Sequence, residues 1–174
     1  LQRLNMVESQ VRPSDVTDRR IIRAMSDIAR EKFVPARMAS LAYMDEAVPV
    51  SATRALMAPR VLAKLIQLAG IEANATVLDV GAATADAAAV LARIAKTVVA
   101  LEDDASLSAS ARGALADAAN VKLVAGGLKA GQPDAGEAPH RLRVIQGVLG
   151  GRVGEVEPVL HEVNAQHPRH WQRL

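Results

Sequence analysis

An α/β fold organised on a parallel sheet is the architecture that this 174-residue chain predicts, and three observations predict it. A short apolar run, Val77 to Val80, closes at Gly81. A helix-forming segment, Asp86 to Ala95, follows, and a second apolar run, Thr97 to Leu101, ends on an acid, Glu102. Apolar runs of this length bounded by turn residues read as buried strands, and a helix between them makes a βαβ unit. A right-handed crossover brings both carboxyl ends to one edge of the sheet, so the Gly81 turn and Glu102 are expected to face one crevice. Val121 to Val124 reads as the third strand.

Upstream, the elements follow from spacing and punctuation. Leu1 to Asn5 precede Met6 and read as leader. Ile21, Ile22, Met25 and Ile28 recur at helical spacing between Thr17 and Arg30, with Asp15 or Thr17 placed to cap and Asp18 in the first turn. Phe33-Val34-Pro35 ends that helix, because proline biases the preceding residue toward extended backbone. A short helical piece covers Met38 to Leu41, and Asp45 to Val50 reads as an extended loop or short strand. A second helix runs from Pro59 to Leu68, with proline in its first turn and Leu62, Leu65, Ile66 and Leu68 facing the core; Gly70 stops it.

Composition narrows the function classes. Half the residues are hydrophobic and the net charge is +2, which suits one soluble domain with a real core. The low charge and the single Trp, Tyr and Phe argue against nucleic-acid partners. There is no apolar run of membrane-spanning length and no signal-peptide core, so a cytoplasmic location without a membrane partner is expected. The absence of cysteine rules out disulfides, thiolate metal sites and a cysteine nucleophile.

A nucleoside suits the crevice. The turn after the first strand offers backbone N–H groups, and a carboxylate at Glu102 can accept from both ribose hydroxyls. A dinucleotide asks for a three-glycine turn around its pyrophosphate, whereas here Gly81-Ala82-Ala83-Thr84-Ala85-Asp86 keeps only the first glycine and adds an acid. A nicotinamide or flavin oxidoreductase is therefore disfavoured. S-adenosylmethionine, with a ribose and no phosphate, fits the pattern better.

A resemblance sharpens this. Met6-Val7-Glu8-Ser9-Gln10, Val16-Thr17-Asp18-Arg19-Arg20, Ala24-Met25, Arg30-Glu31-Lys32-Phe33-Val34-Pro35 and Leu41-Ala42-Tyr43-Met44-Asp45 closely resemble the N-terminal region of protein-L-isoaspartate O-methyltransferases. Val77-Leu78-Asp79-Val80-Gly81 and Leu101-Glu102 match that family's first two strands in order and spacing, over about residues 6 to 138. The resemblance implies a Rossmann-like S-adenosylmethionine-dependent methyltransferase fold preceded by an N-terminal helical region. It also implies carboxyl methylation of isoaspartyl residues in damaged proteins, with isoaspartyl proteins or peptides as partners. Gly81 and Glu102 are the cofactor-binding candidates of the crevice itself; the resemblance adds Asp79, near the methionine moiety, together with Ala83 and Gly127.

Three departures from the family pattern fall at the chemistry. Arg54-Ala55-Leu56-Met57-Ala58-Pro59 stands where the family's substrate loop reads approximately Gln-Thr-Ile-Ser-Gln-Pro, so Met57 replaces the hydroxyl associated with catalysis and the catalytic residue is unassigned. Ser51, Thr53 and Arg54 are the substrate-loop candidates; Arg54 and Arg60 are each expected to be solvated surface charges. Ala83 and Ala85 replace the family's second and third glycines, and either one at positive φ would carry strain unless the turn is rerouted. Gly126-Gly127 replaces a Gly-Asp pair at the adenine edge.

After Pro139 the composition changes abruptly. All four histidines (His140, His161, His167 and His170) and Trp171 lie there, lysine ends at Lys129, and alanine recurs only at Ala165. His140 to Gln146 reads as a weak, basic substitute for a fourth strand, and the remainder is expected to supply no further strands, as on a truncated, out-of-frame gene. Glu157 to Ala165, with Pro158 in the first turn, is compatible with a helix. No metal site is expected from the histidines, which lack supporting acids.

The chain is thus expected to comprise residues 1–70 (helical and substrate-loop region), 71–138 (Rossmann-like cofactor core) and 139–174 (atypical tail on a truncated sheet). It is expected to act as a monomer or an edge-mediated homodimer. The alternative to an isoaspartyl methyltransferase is a non-catalytic relative that keeps the fold as an interaction module.

Overall fold

The computed structural model describes residues 1–127 with their side chains and, beyond them, the backbone of two strands at 142–149 and 156–163. Gln2–Met6 form helix α1, which runs on through a π-helical turn, Val7–Val11, and a 3₁₀ turn, Arg12–Ser14. The stretch read as leader is therefore mostly helical, and Met6, Val7 and Val11 behind it are buried in the core. Helix α2 (Arg19–Asp27) buries Ile21, Ile22 and Met25 of the predicted stripe together with Ala24, while Ile28 falls just past its end and is half-buried. Its cap is Asp18, not Asp15 or Thr17: Asp18 has the extended backbone that a cap requires and accepts the Arg20 N–H at 2.8 Å. Asp15 is left-handed, and the Thr17 N–H is taken by Gln67 Oε1 at 2.8 Å.

Two 3₁₀ turns, Arg30–Phe33 and Ala36–Leu41, flank Pro35. Strands β1 (Val48–Pro49) and β2 (Ala55–Leu56) then pair antiparallel, Val48 opposite Leu56, so Asp45 to Val50, read as an extended loop or short strand, holds one strand of a small hairpin whose other strand lies in the substrate loop. Helix α3 (Pro59–Ala69) begins on a proline whose missing N–H would have had no partner, and it ends at Gly70 with φ +55°.

The sheet follows: β3 (Thr76–Val80), helix α4 (Asp86–Ala92), β4 (Thr97–Glu102), helix α5 (Ala105–Ala114), β5 (Val121–Ala125), β6 (Leu142–Leu149) and β7 (Val156–Val163). Its order is β5-β4-β3-β6-β7, parallel from β5 to β6, with β7 antiparallel. This is the Rossmann-like α/β architecture. β3 and β4 are buried on both faces, as their continuous apolar runs require. Below the site, Asn120 Nδ2 donates to the carbonyls of Ala92, Ala95 and Lys96 at 2.9, 3.2 and 3.4 Å, clasping the end of α4 to the start of β5.

The tail overturns two expectations. The stretch read as a weak fourth strand falls largely in β6, whose pairing with β3 satisfies a row of backbone groups that would otherwise form an open central edge, whereas the remainder, expected to supply no further strands, supplies β7. Pro158, read as the first turn of a helix, lies instead in β7 opposite Gly147. β7 is the outermost described strand on that side, the place in a sheet where a missing N–H is tolerated.

Candidate functional site

Level pairing of Val80 with Leu101 places Gly81 and Glu102 side by side at the carboxyl edge of the sheet. The turn is held tightly there. Gly81 and Ala82 N–H both donate to the Leu101 carbonyl, at 2.9 and 3.0 Å, and Ala85 N–H donates to the Ala82 carbonyl at 2.7 Å. Gly81, Ala83 and Ala85 have φ of +73°, +51° and +72°. The turn is thus not rerouted around the alanines: both occupy the left-handed region, at about 1–2 kcal/mol each. Replacing both with glycine relieves that strain and loses about 0.8 kcal/mol of buried methyl at each position. Ala83→Gly/Ala85→Gly is therefore expected to raise stability by about 1–2 kcal/mol in urea unfolding.

Glu102 is fully buried and holds this turn in place. Its Oε2 accepts Ala83 N–H at 2.6 Å, and its Oε1 accepts the N–H groups of Asp103 and Asp104 at 3.0 and 2.9 Å. Burial raises its carboxyl above the usual range, against the pull of the Asp104 amide. A carboxylate has about four lone-pair positions. Three are occupied here, which leaves room for one ribose hydroxyl unless an amide is displaced.

Asp79, at the end of β3, is 2% exposed, and its Oδ2 has no hydrogen-bond partner. Burial, reinforced by Glu102 and then Asp86, pushes its carboxyl up to about 7. Asp86, the first residue of α4, is also buried, and burial raises its carboxyl too. It is met by a side chain that the sequence reading did not single out: Arg30 Nη1 lies 2.5 Å from Asp86 Oδ2. Nothing in the sequence links two residues 56 positions apart. The acid of the turn is thus half of a buried ion pair, while the amides of Gly81, Ala82, Ala83 and Ala85 are already bonded.

The other wall is the β1–β2 hairpin. Ala55, Leu56 and Met57 face Asp79, Gly81, Ala82, Ala83 and Asp86 across a crevice whose enclosed part measures about 30 Å³. That admits a water or two. Small-molecule sites run to about 300–1,000 Å³, so the space enclosed beneath the hairpin is too small for a whole nucleoside. Arg54 latches the hairpin: Nη2 lies 2.9 Å from Asp103 Oδ1 and 3.9 Å from Glu102 Oε1, with its side chain 13% exposed. Arg54 is therefore a mostly buried clasp and not the solvated charge expected. Arg54→Ala is expected to speed association of a crevice ligand about threefold, read by stopped flow, since the lost ion pair is screened by solvent on its Asp103 side.

The remaining candidates lie apart. Ser51 Oγ accepts the Thr53 N–H at 3.2 Å, a local turn, and neither residue lines the crevice. Gly127 is exposed at the end of the described region, one residue beyond a backbone bond from Gly126 N–H to the Glu102 carbonyl. Arg60 pairs with Asp45 at 3.2 Å. His140, His167 and His170 lie outside the described residues, and of His161 only the backbone is described. No helix among the described residues is long and apolar enough to cross a membrane.

Comparison with known proteins adds three findings. The family model for protein-L-isoaspartate(D-aspartate) O-methyltransferase matches residues 2–145. Protein-L-isoaspartate O-methyltransferase 2 of Anaeromyxobacter sp. (strain Fw109-5) is 36% identical over 146 residues, 83% of this chain and 59% of that protein. The enzyme of Methylorubrum populi is 37% identical over 134 residues, 76% of this chain and 63% of that one. The chain therefore spans about three-fifths of the length of these curated relatives. Among solved structures, a protein-L-isoaspartate O-methyltransferase superposes with a TM-score of 0.66 at 22% identity, over 78% of this chain and 52% of the other. A Plasmodium falciparum chain named as a protein-L-isoaspartate O-methyltransferase, in complex with S-adenosyl-L-homocysteine, gives 0.67 at 14% identity, over 94% and 91%. At such identities the structures speak for the fold alone.

Proposed function

The chain belongs to the protein-L-isoaspartate(D-aspartate) O-methyltransferase family, and from that premise we propose that it binds S-adenosylmethionine at the Gly81 turn and methylates isoaspartyl carboxylates in damaged proteins. The observation that carries this reading is the unpartnered Oδ2 of Asp79, buried where the turn meets the substrate loop. A buried carboxylate oxygen without a partner suits a cationic ligand, and S-adenosylmethionine carries both an ammonium and a sulfonium. Gly81, Ala83 and Glu102 then form the ribose side, with Gly127 toward the adenine. Residues 1–70 carry the substrate side and 71–138 the cofactor core, onto which 139–174 adds strands. The reading places the protein in the cytoplasm, as a monomer or an edge-joined homodimer.

When bound, S-adenosylmethionine supplies a methyl group made electrophilic by its sulfonium. The acceptor carboxylate is already ionised at pH 7, its reference pKa being about 3.9, so no general base is needed. What the chain must do is align and exclude water. Leu56 and Met57, nearly buried, supply an apolar wall where the family carries a hydroxyl. Arg54, once released from Asp103, is the cation placed to hold the incoming carboxylate, with Ser51 and Thr53 beside it on the same hairpin.

Calorimetric titration with S-adenosyl-L-homocysteine tests the cofactor half of this proposal; no heat at millimolar ligand would sink it. Methylation of an isoaspartyl peptide, with the ordinary aspartyl peptide as comparison, tests the substrate half. Equal or absent methylation of the two peptides would refute the assigned specificity.

A further inference from the structure

The segment Arg30–Phe33 stitches the two walls of the crevice together from behind. Arg30 is 2% exposed. Its Nη1 donates to Asp86 Oδ2 at 2.5 Å and its Nη2 donates to the Met57 carbonyl. Beside them, Thr84 Oγ1 donates to the Phe33 carbonyl at 2.5 Å. Asp86 opens α4 directly after the left-handed turn, and Met57 sits in the substrate loop; both line the crevice. One guanidinium, planar and rigid, thus sets the spacing between the cofactor wall and the substrate wall. The hairpin therefore has a buried anchor at its base, Met57, and a latch at its tip, where the mostly buried Arg54 meets the half-exposed Asp103.

We propose that Arg30 is a positioning residue that couples occupancy of the Gly81 turn to the placement of the substrate loop, residues 54–58, so that the hairpin opens and recloses about its tethered base. This rests on the reading of the turn as cofactor site and the loop as substrate site. Lysine at this position keeps the charge opposite Asp86 but offers a single point of donors, which cannot serve both walls with fixed geometry.

The test is amide hydrogen exchange of residues 55–58 with and without S-adenosyl-L-homocysteine, beside the kinetics of isoaspartyl-peptide methylation. In the unaltered chain the ligand is expected to slow exchange there about tenfold or more, since these amides open locally. Arg30→Lys is expected to melt cooperatively and to bind the ligand within about twofold of the unaltered chain. It is also expected to lose the protection at 55–58 and to drop kcat about a hundredfold, the cost of a small misplacement. A residue with a merely structural role would weaken ligand binding and raise exchange throughout the chain instead. Retained protection in a ligand-bound Arg30→Lys variant overturns the proposal. Should that variant not fold, Asp86→Asn, which keeps an acceptor for Arg30, must still show ligand protection at 55–58; binding without protection there overturns it equally. Ligand binding without protection in the unaltered chain overturns this inference alone, whereas no ligand binding at all overturns the site reading on which it rests.

Discussion

Asp79→Asn is expected to stabilise the free protein at pH 8 by roughly 2–4 kcal/mol and at the same time to weaken its hold on S-adenosylmethionine. The sign follows from where the proton sits. Burial pushes the folded carboxyl up to about 7, against about 3.9 for an unperturbed aspartate. Below the lower value both states are protonated and the stabilising contribution is complete. Between the two values the folded chain keeps a proton that the unfolded chain has released, so stability falls as pH rises and levels off above 7. Melting temperature in the unaltered chain should decline from pH 5 to pH 8, and the asparagine variant should remove the Asp79 share of that slope. Cofactor binding runs the other way: it should strengthen as pH rises through 7 and the carboxylate forms, and the variant should be nearly flat. An unchanged melting slope in Asp79→Asn would show that the carboxylate is not the buried group with an unpartnered oxygen described above.

Glu102→Gln should be costly despite its near-identical shape. The carboxylate accepts N–H groups on both oxygens, from Ala83 on one side and from Asp103 and Asp104 on the other. A glutamine has one acceptor oxygen, so its nitrogen must face an N–H, donor against donor. About 1–3 kcal/mol of stability is expected to go, the cost of a buried polar group left unsatisfied. S-adenosyl-L-homocysteine affinity should fall about tenfold to a hundredfold. Urea unfolding and calorimetry read the two effects separately, and a glutamine variant indistinguishable from the unaltered chain in both would contradict the geometry. Alanine at this position is a poorer probe, because it would strip all three amides of their acceptor.

Punctuated apolar runs made most of the fold legible. Val77 to Val80 and Thr97 to Leu101 are continuous because β3 and β4 are covered on both faces, and Pro59 and Gly70 bracket α3 by the missing N–H of one and the left-handed backbone of the other. Helix α5 went unread because only Leu107, Ser108 and Ala111 of it are buried, too few to give a stripe. The β1–β2 hairpin has two residues per strand, below any detectable alternation. Pro158 pointed to a helix start; its place on an outer strand depends on which neighbour the tail pairs with, which is a tertiary fact. In the site, Gly81 and Glu102 could be placed by strand ends alone, and Asp79 by the family resemblance. Arg30 could not, because a charged residue in a short turn looks solvated until the fold brings Asp86 and Met57 to it.

The side-chain nitrogen of Asn120 is the donor that three carbonyl oxygens share at the foot of the sheet. Asparagine ages by losing that nitrogen, and the product here would turn a carboxylate oxygen toward Ala92, Ala95 and Lys96, acceptor against acceptors in a partly buried setting. An isoaspartyl link would also add one backbone carbon just before β5, shifting the alternation on which that strand's pairing depends. The clasp thus gathers three carbonyls on one side-chain nitrogen, and Asn120→Asp would loosen the sheet at the end opposite its crevice.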